Sequence, residues 1–148
     1  MLLLEAIAEV ESNNRVAVGD HGAALSKYQI HRAVWQDVKI RFGQDKAKCD
    51  VGREFGDIGG SDFNSQVRAF NTATGQVALI EEYLLKHGVG CTAENIYACW
   101  NLGREGFRRR NFHLDECPAA TIRNAIVVAN LSTVKQKSAT AAQRTQRK

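Results

Sequence analysis

The sequence lacks most of the features that mark membrane, metal and nucleotide-binding proteins. It has a single proline and few aromatic residues, 7% of the chain, and it contains no long apolar run, so no membrane span is expected. No Cys-x-x-Cys pair is present, and no cysteines and histidines stand at zinc-ligand spacing. Gly56, Gly59 and Gly60 match no phosphate-binding loop. We therefore expect neither a metal site nor a bound cofactor.

The few cysteines leave the redox compartment open. They are Cys49, Cys91, Cys99 and Cys117. An even number suits two disulfides in an oxidising compartment. Four reduced thiols, packed as small apolar groups, agree with the sequence equally well.

The composition is that of a globular domain dominated by helices. A chain of 148 residues, 44% hydrophobic and 24% charged, is long enough to bury a core. The single proline and the scarcity of β-branched runs favour helix over strand. We predict an α+β fold, mainly α, with a domain over residues 1–131 and a tail over residues 132–148. We expect a monomer.

Positive charge is concentrated in that tail. Residues 132–148 hold five basic and no acidic residues, whereas the rest of the chain holds 15 basic and 16 acidic residues. The segment is polar and almost without branched apolar side chains, so we predict that it is disordered. Its charge predicts weak electrostatic contact with anionic polymers, but it offers no aromatic ring on which nucleic-acid bases would stack.

A helix predicted over residues 2–12 carries the first candidate catalytic residue, Glu11. At about 100° per residue the apolar side chains share one face, and Glu11 follows Ile7 by four residues on that face. Partial removal of water disfavours an ionised carboxyl, so we expect a raised pKa for Glu11. A carboxylic acid that is protonated near neutral pH is the proton donor that glycoside cleavage requires. The alternative is a helix-end glutamate whose carboxylate extends into water.

The residues after Glu11 predict a small β-hairpin. Ser12 and two asparagines end the helix, and residues 16–18 suit a short strand. Gly19-Asp20-His21-Gly22 is a turn sequence, because its glycines and its Asp tolerate unusual backbone angles. The chain then returns through the Tyr28-Gln29-Ile30 segment.

Short motifs in this order resemble the lysozyme-like superfamily of lytic transglycosylases and invertebrate-type lysozymes. They lie within residues 2–107, in the segments IAEVESNN, GDHGAALSKYQIHRAVW and IYACWNLG. The motifs are Glu11-Ser12, Gly22-Ala23, Tyr28-Gln29-Ile30 and Trp100-Asn101-Leu102-Gly103. In this superfamily a helix ends in a catalytic Glu-Ser pair, a hairpin with a Gln-Ile pair follows, and a later helix carries an Asn-x-Gly motif.

The resemblance implies an enzyme that binds peptidoglycan glycan strands. It would cleave β-1,4 bonds between N-acetylmuramic acid and N-acetylglucosamine, with Glu11 as general acid and base. The residues implied to line the groove, or to position Glu11, are Ser12, Tyr28, Gln29 and Asn101.

Two chemical routes remain open. A retaining lysozyme places a second carboxylate about 5–5.5 Å from the first to stabilise the positive sugar centre. Asp20 is the candidate for this role, by its resemblance to the second acid of invertebrate-type lysozymes, although a turn Asp often caps its own backbone. Without Asp20, the resemblance to lytic transglycosylases implies that Glu11 acts first as acid and then as base. The sugar's own 6-hydroxyl then attacks and gives an anhydro product.

The chain departs from the superfamily pattern at two positions. Ser26 stands where a glycine is usual, and Trp100 stands where Tyr or His begins the later motif. A non-catalytic glycan-binding relative is therefore one alternative, and a small basic nucleic-acid or interaction module is another. A peptidoglycan enzyme would act in the periplasm, outside the cell or in a virion, yet the apolar segment before Glu5 is too short for a signal peptide.

Two further segments are predicted between the hairpin and the middle of the chain. Residues 32–42 form a helix in which Trp35 is a core anchor. Residues 44–60 form a long irregular connection, either one wall of the groove or a plain surface loop. Ser61 is the predicted N-cap of the next helix, and its buried face is predicted to carry Phe63, Val67 and Phe70. Gly75 interrupts this pattern, and Val77, Ile80 and Leu84 resume a helical face that ends at Gly88.

The last third of the chain predicts two more helices. Thr92 is the predicted N-cap of the first, and Pro118 opens the second, with an apolar stripe of Ile122, Ile126 and Ala129. Between them, residues 104–113 are rich in arginine. That segment is either a solvated helix end or a contact for an anionic glycan or peptide carboxylate.

Overall fold

A computed structural model describes residues 2–45 and 47–146, and the side chains of residues 3–45 and 47–132. The α-helices are α1 Leu2–Ser12, α2 Arg32–Phe42, α3 Phe63–Lys86, α4 Ala93–Leu102, α5 Arg104–Arg108 and α6 Ala119–Gln146. The strands are β1 Val18–Gly19, β2 Ala24–Leu25 and β3 Ile30–His31, and single 3-10 turns span Asp20–Gly22, Phe55–Ile58 and Leu114–Glu116. The predicted α+β class, mainly α, is confirmed.

The chain forms two compact units. The central unit is Ala8–Glu82, and the terminal unit combines the chain before Ala8 with the chain after Glu82. The predicted boundary between a domain and a tail at residue 132 stays a prediction.

The central unit contains a three-stranded antiparallel sheet that follows α1. β1 pairs with β2 with Val18 opposite Leu25, and β2 pairs with β3 with Leu25 opposite Ile30. The predicted hairpin is therefore present. It has a third strand, because the chain reverses again between Leu25 and Ile30.

The helix α2 has the bounds that the sequence predicts, and Trp35 is its main core residue. The Trp35 side chain is 5% exposed, and its Nε1 donates a hydrogen bond to the Val51 carbonyl at 2.8 Å. Its ring also lies 6.1 Å from that of Phe55. These contacts attach the irregular segment after α2 to the core of the unit.

The buried face predicted for the first half of α3 is wrong, whereas Ile80 and Leu84, predicted for the second half, are buried. Phe63 is 80% exposed, and Val67 and Phe70 are each 37% exposed. Small or polar side chains are buried there instead: Ser65, Ala69, Thr72, Ala73 and Gln76. The alanines and Gly75 let α3 pack closely, and at Gly75 a β-carbon would meet Val38 Cγ1 at 2.5 Å.

The predicted N-cap of α3 is shifted by one residue. Asp62, rather than Ser61, caps the helix, because its Oδ2 accepts a hydrogen bond from the Ser65 amide at 3.2 Å. Its Oδ1 accepts another from the Ser65 hydroxyl at 2.6 Å. These bonds, the hydroxyl one first, hold the pKa of Asp62 below its usual value.

In the terminal unit α4 packs against α6. Thr92 caps α4 as predicted, since its hydroxyl accepts from the Asn95 amide at 3.2 Å. The buried face of α6 carries Thr121, Ala125, Val128 and Ser132. The predicted stripe is wrong at Ile126, which is 47% exposed, because the helix turns its smaller residues inward.

The helix α6 continues to Gln146, through residues for which the composition predicts no ordered structure. Ala, Gln, Lys and Arg all have high helix propensity, which accounts for a continuous helical backbone. The side chains after Ser132 lie outside the described residues.

All four cysteines are free thiols. Cys99 and Cys117 are buried, and burial raises the pKa of the Cys99 thiol to about 12. Cys99 therefore packs as a small apolar group and is not a reactive thiolate.

Within residues 2–45 and 47–146, no helix has both the length and the apolar character needed to cross a membrane.

Candidate functional site

Five of the six predicted site residues lie in the central unit. Glu11 and Ser12 form the last turn of α1, where Glu11 is half-buried. Asp20, Tyr28 and Gln29 lie in the two turns of the sheet that follows. The Glu11-Ser12 and Tyr28-Gln29-Ile30 motifs are thus carried by one helix end and one small sheet, whereas the Trp100-Asn101-Leu102-Gly103 motif lies at the end of α4 in the terminal unit. The raised pKa expected for Glu11 stays a prediction.

Ser12 connects the end of α1 to the turn between β2 and β3. Its Oγ lies 2.6 Å from the Lys27 carbonyl oxygen and 3.1 Å from that of Ala8. A hydroxyl has one proton to donate, and the shorter distance favours the Lys27 carbonyl. The same Oγ accepts from the Arg15 amide at 3.2 Å. Ser12 therefore fixes the position of the turn relative to the helix end that carries Glu11.

The turn between β2 and β3 depends on two residues in the left-handed region. Ser26 has a φ of 70° and Gln29 a φ of 52°. The Ser26 hydroxyl accepts from the Tyr28 amide at 3.1 Å, and the Ser26 carbonyl accepts from the Gln29 amide at 3.2 Å. A positive φ favours glycine, so Ser26 occupies a backbone position that glycine would adopt more readily.

The Gln29 side chain holds the turn to the first strand segment. Its Nε2 donates to the Ser26 carbonyl at 2.9 Å and to the Ala17 carbonyl at 3.1 Å, which uses both amide hydrogens. Its Oε1 lies directly against Gly19, so that a β-carbon there would overlap it. Gln29 therefore organises the sheet, and any contact of its side chain with a substrate would be made through Oε1.

Tyr28 lies under the surface at the predicted site. Its side chain is 3% exposed, and the Lys27 ammonium lies 5.4 Å from its ring centroid. The cavity beside it has a volume of about 10 Å³, enough for at most one water molecule. The position supports a packing role, and the substrate contact predicted for Tyr28 stays a prediction.

Asp20 is paired across the sheet with His31. Its Oδ2 lies 3.0 Å from His31 Nε2, and the two side chains are 68% and 50% exposed. Asp20 and its neighbour His21 have φ values of 49° and 55°, so two successive residues of this turn are left-handed. The role of Asp20 as a second catalytic acid stays a prediction.

Asn101 belongs to the terminal unit, where it ends α4. Its Oδ1 accepts a hydrogen bond from the buried Thr121 hydroxyl at 2.7 Å, which ties the end of α4 to the start of α6. Gly103 follows with φ 78° and ψ 157°, a conformation that is essentially restricted to glycine. The Asn-x-Gly motif therefore has a clear role in the backbone at this helix end.

The arginine-rich segment after α4 is partly neutralised. Arg108 donates to Glu105 Oε2 from Nε at 3.0 Å and from Nη2 at 2.7 Å, and the Tyr83 hydroxyl donates to Glu105 Oε1 at 2.8 Å. These bonds, with that from Arg108 first, lower the pKa of Glu105. The arrangement agrees with a solvated helix end, and contact with an anionic glycan stays a prediction.

Sequence reasoning missed a cavity of about 500 Å³ in the central unit. The segment after α2, expected to be a groove wall or a plain loop, lines this cavity together with α2 and α3. The sequence signal was present in the glycines and charged residues of this segment, but its partners on the two helices were not readable from the sequence. No group of three or more residues suited to metal binding occurs in the described part of the chain.

Comparison of the chain with protein-family models, with curated proteins and with solved structures gives no significant match.

Proposed function

We propose that the chain is a peptidoglycan-cleaving glycosidase of the lytic transglycosylase or lysozyme type, with Glu11 as general acid and base. The observation that carries this proposal is the hydrogen bond from Ser12 to the Lys27 carbonyl. It joins the helix end that carries Glu11 to the turn that carries Tyr28 and Gln29. Two of the resembled motifs, Glu11-Ser12 and Tyr28-Gln29-Ile30, are thereby joined in one local structure.

The half-buried position of Glu11 supports its role as the acid. Complete exposure would leave its pKa near that of a free side chain, and complete burial would keep substrate away. Glu9, on the same helix, is exposed. The chain therefore carries a natural comparison between a half-buried and a solvated carboxyl two residues apart.

The environment of Asp20 favours the transglycosylase route over the lysozyme route. Its carboxylate is engaged by His31 and is about two-thirds exposed, whereas a stabilising carboxylate acts best in a dry site close to the sugar. In the transglycosylase route Glu11 protonates the bridging oxygen and then accepts the proton of the attacking 6-hydroxyl. No second carboxylate and no water molecule take part in that reaction.

The proposal is tested by the mass of the products that the full chain releases from purified peptidoglycan sacculi. Muropeptides lighter by one water than the hydrolysis products identify the transglycosylase reaction, and reducing ends identify a lysozyme. An Asp20→Asn variant should retain activity in the first case and lose it in the second. Binding to sacculi without any release, under reducing and oxidising conditions, would contradict the proposal in favour of a glycan-binding protein.

A further inference from the structure

The cavity between α2, α3 and the segment that joins them is a second candidate site. Its volume of about 500 Å³ lies within the range of about 300–1,000 Å³ that is usual for small-molecule pockets. The lining residues that matter chemically are Lys39, Asp50, Gly52, Arg53, Asp57 and Arg68. None of them belongs to the proposed glycosidase site.

The wall formed by the joining segment is held at three successive places. Its carbonyl groups accept hydrogen bonds from side chains of the two helices. Trp35 Nε1 donates to Val51 at 2.8 Å, Asn71 Nδ2 donates to Asp50 at 2.9 Å, and the Lys39 ammonium donates to Arg53. A wall fixed in this way loses little conformational freedom when a ligand binds.

The two carboxylates of the cavity already have partners. Asp50 accepts from the Gly52 amide at 2.9 Å and from Arg68 Nε at 3.2 Å. Asp57 Oδ2 accepts from the amides of Arg53 at 2.8 Å and Glu54 at 3.0 Å. Asp50 and Asp57 therefore stabilise the wall of the cavity. Their negative charge is already partly balanced by these hydrogen-bond donors.

The three cationic side chains of the cavity, Lys39, Arg53 and Arg68, have N–H donors that are not used in hydrogen bonds with the described residues. A guanidinium has five N–H donors and an ammonium three. Arg68 uses its Nε–H on Asp50 and Lys39 uses one donor on a carbonyl. The Arg53 guanidinium makes no hydrogen bond or ion pair with the described residues, although its backbone is held on both sides. Three cations against two satisfied carboxylates leave the cavity with unused positive donors.

We propose that this cavity binds a small ligand through an oxyanion, a carboxylate or a phosphate group, received by the guanidinium groups of Arg53 and Arg68. Guanidinium groups bind such planar or tetrahedral oxyanions through two parallel hydrogen bonds. Lys39 adds charge from α2. The inference is independent of the glycosidase proposal, because neither Glu11 nor the sheet contributes to the cavity.

The test is an NMR titration of the full chain at constant ionic strength, in which the backbone amide chemical shifts are measured at each ligand concentration. Inorganic phosphate and acetate are the two oxyanion probes, and N-acetylglucosamine is the neutral control. Shift changes should cluster at Lys39, Arg68 and residues 50–57, with the tighter probe identifying the preferred group. Equal changes with the neutral sugar, or changes spread over other arginines, would overturn the proposal.

Arg53→Gln is the decisive variant, because the Arg53 side chain makes no bond within the described structure whose loss would unfold it. It should weaken oxyanion binding about tenfold or more, the effect of losing one charge-assisted pair of hydrogen bonds. The oxyanion affinity of Arg53→Lys should lie between those of the wild type and Arg53→Gln. Arg123 is an exposed arginine on α6, and the control variant Arg123→Gln should bind the oxyanion as tightly as the wild type does. Unchanged binding in Arg53→Gln would refute the site.

Discussion

Ser26 adopts a backbone conformation that glycine adopts more readily, and it compensates with a side-chain hydrogen bond. Its φ is 70°, its side chain is 2% exposed, and its hydroxyl accepts from the Tyr28 amide. Ser26→Ala keeps the strain and loses the bond, whereas Ser26→Gly loses the bond but removes the strain. We expect the alanine variant to be the least stable and the glycine variant to exceed it by about 1 kcal/mol in unfolding free energy.

Urea denaturation of the three proteins measures this order. Equal stability of the alanine and glycine variants would mean that the left-handed conformation of Ser26 costs nothing in the folded state.

Gly19 is required for space rather than for backbone freedom. Its φ of −111° is open to any residue, but a β-carbon would overlap the Gln29 amide oxygen. We expect Gly19→Ala to cost about 1–3 kcal/mol of stability, as other overpacked sites do. Combined with Gln29→Ala, the same substitution should cost much less, because the overlapping atom is gone.

A double-mutant cycle by urea denaturation tests this coupling, with an expected interaction of about 0.5 kcal/mol or more. Gly56→Ala is the matched control, because a β-carbon at Gly56 meets open space. Additive effects of the Gly19 and Gln29 substitutions would show that the Gln29 side chain moves away easily and does not lock the sheet.

At the scale of elements, the strongly periodic helices could be predicted, but the buried face of the first half of α3 could not. The bounds of α1 and α2 follow from apolar residues at helical spacing and from the glycine after Phe42. The first half of α3 buries alanine, serine and threonine, which give no signal in a hydrophobicity pattern, whereas Ile80 and Leu84 mark the buried face of its second half. The aromatic residues Phe63 and Phe70 led to the prediction that their face of the helix is buried, but both side chains are exposed.

The N-cap of α3 gives that helix a pH dependence. Because hydrogen bonds to Ser65 hold the pKa of Asp62 below its usual value, the ionised cap stabilises the fold above the unfolded-state pKa. That contribution is lost as the pH falls through the lower folded-state value. Asp62→Ala should therefore destabilise the protein more at about pH 7 than at about pH 3.

Thermal unfolding of the wild type and of Asp62→Ala at the two pH values provides the measurement. Ser61→Ala is the control for a neighbouring residue that is not the cap. A difference in stability that does not change with pH would contradict the role assigned to the ionised Asp62 carboxylate.

At the scale of the whole molecule, local elements could be predicted from the sequence, but contacts between residues distant in sequence could not. The turn residues after Ser12 predict the small sheet that follows α1. Their short spacing predicts that Gln29 belongs to the same local structure as Glu11 and Ser12. The bond from Ser12 to Lys27 and the pairing of Asp20 with His31 depend on how the sheet folds back, which no local pattern specifies. The oxyanion cavity needs residues from three elements and is invisible to motif reading for the same reason.

Glu11 is proposed to supply the proton for glycoside cleavage, and a comparison with Glu9 on the same helix tests this role. The rate of muropeptide release from purified sacculi is measured for the wild type, Glu11→Gln and Glu9→Gln. Glu11→Gln is expected to lose about 10²-fold or more in rate and Glu9→Gln to keep wild-type activity, with both variants folded by circular dichroism. Equal activity of Glu11→Gln and Glu9→Gln would refute the role of Glu11 as the proton donor.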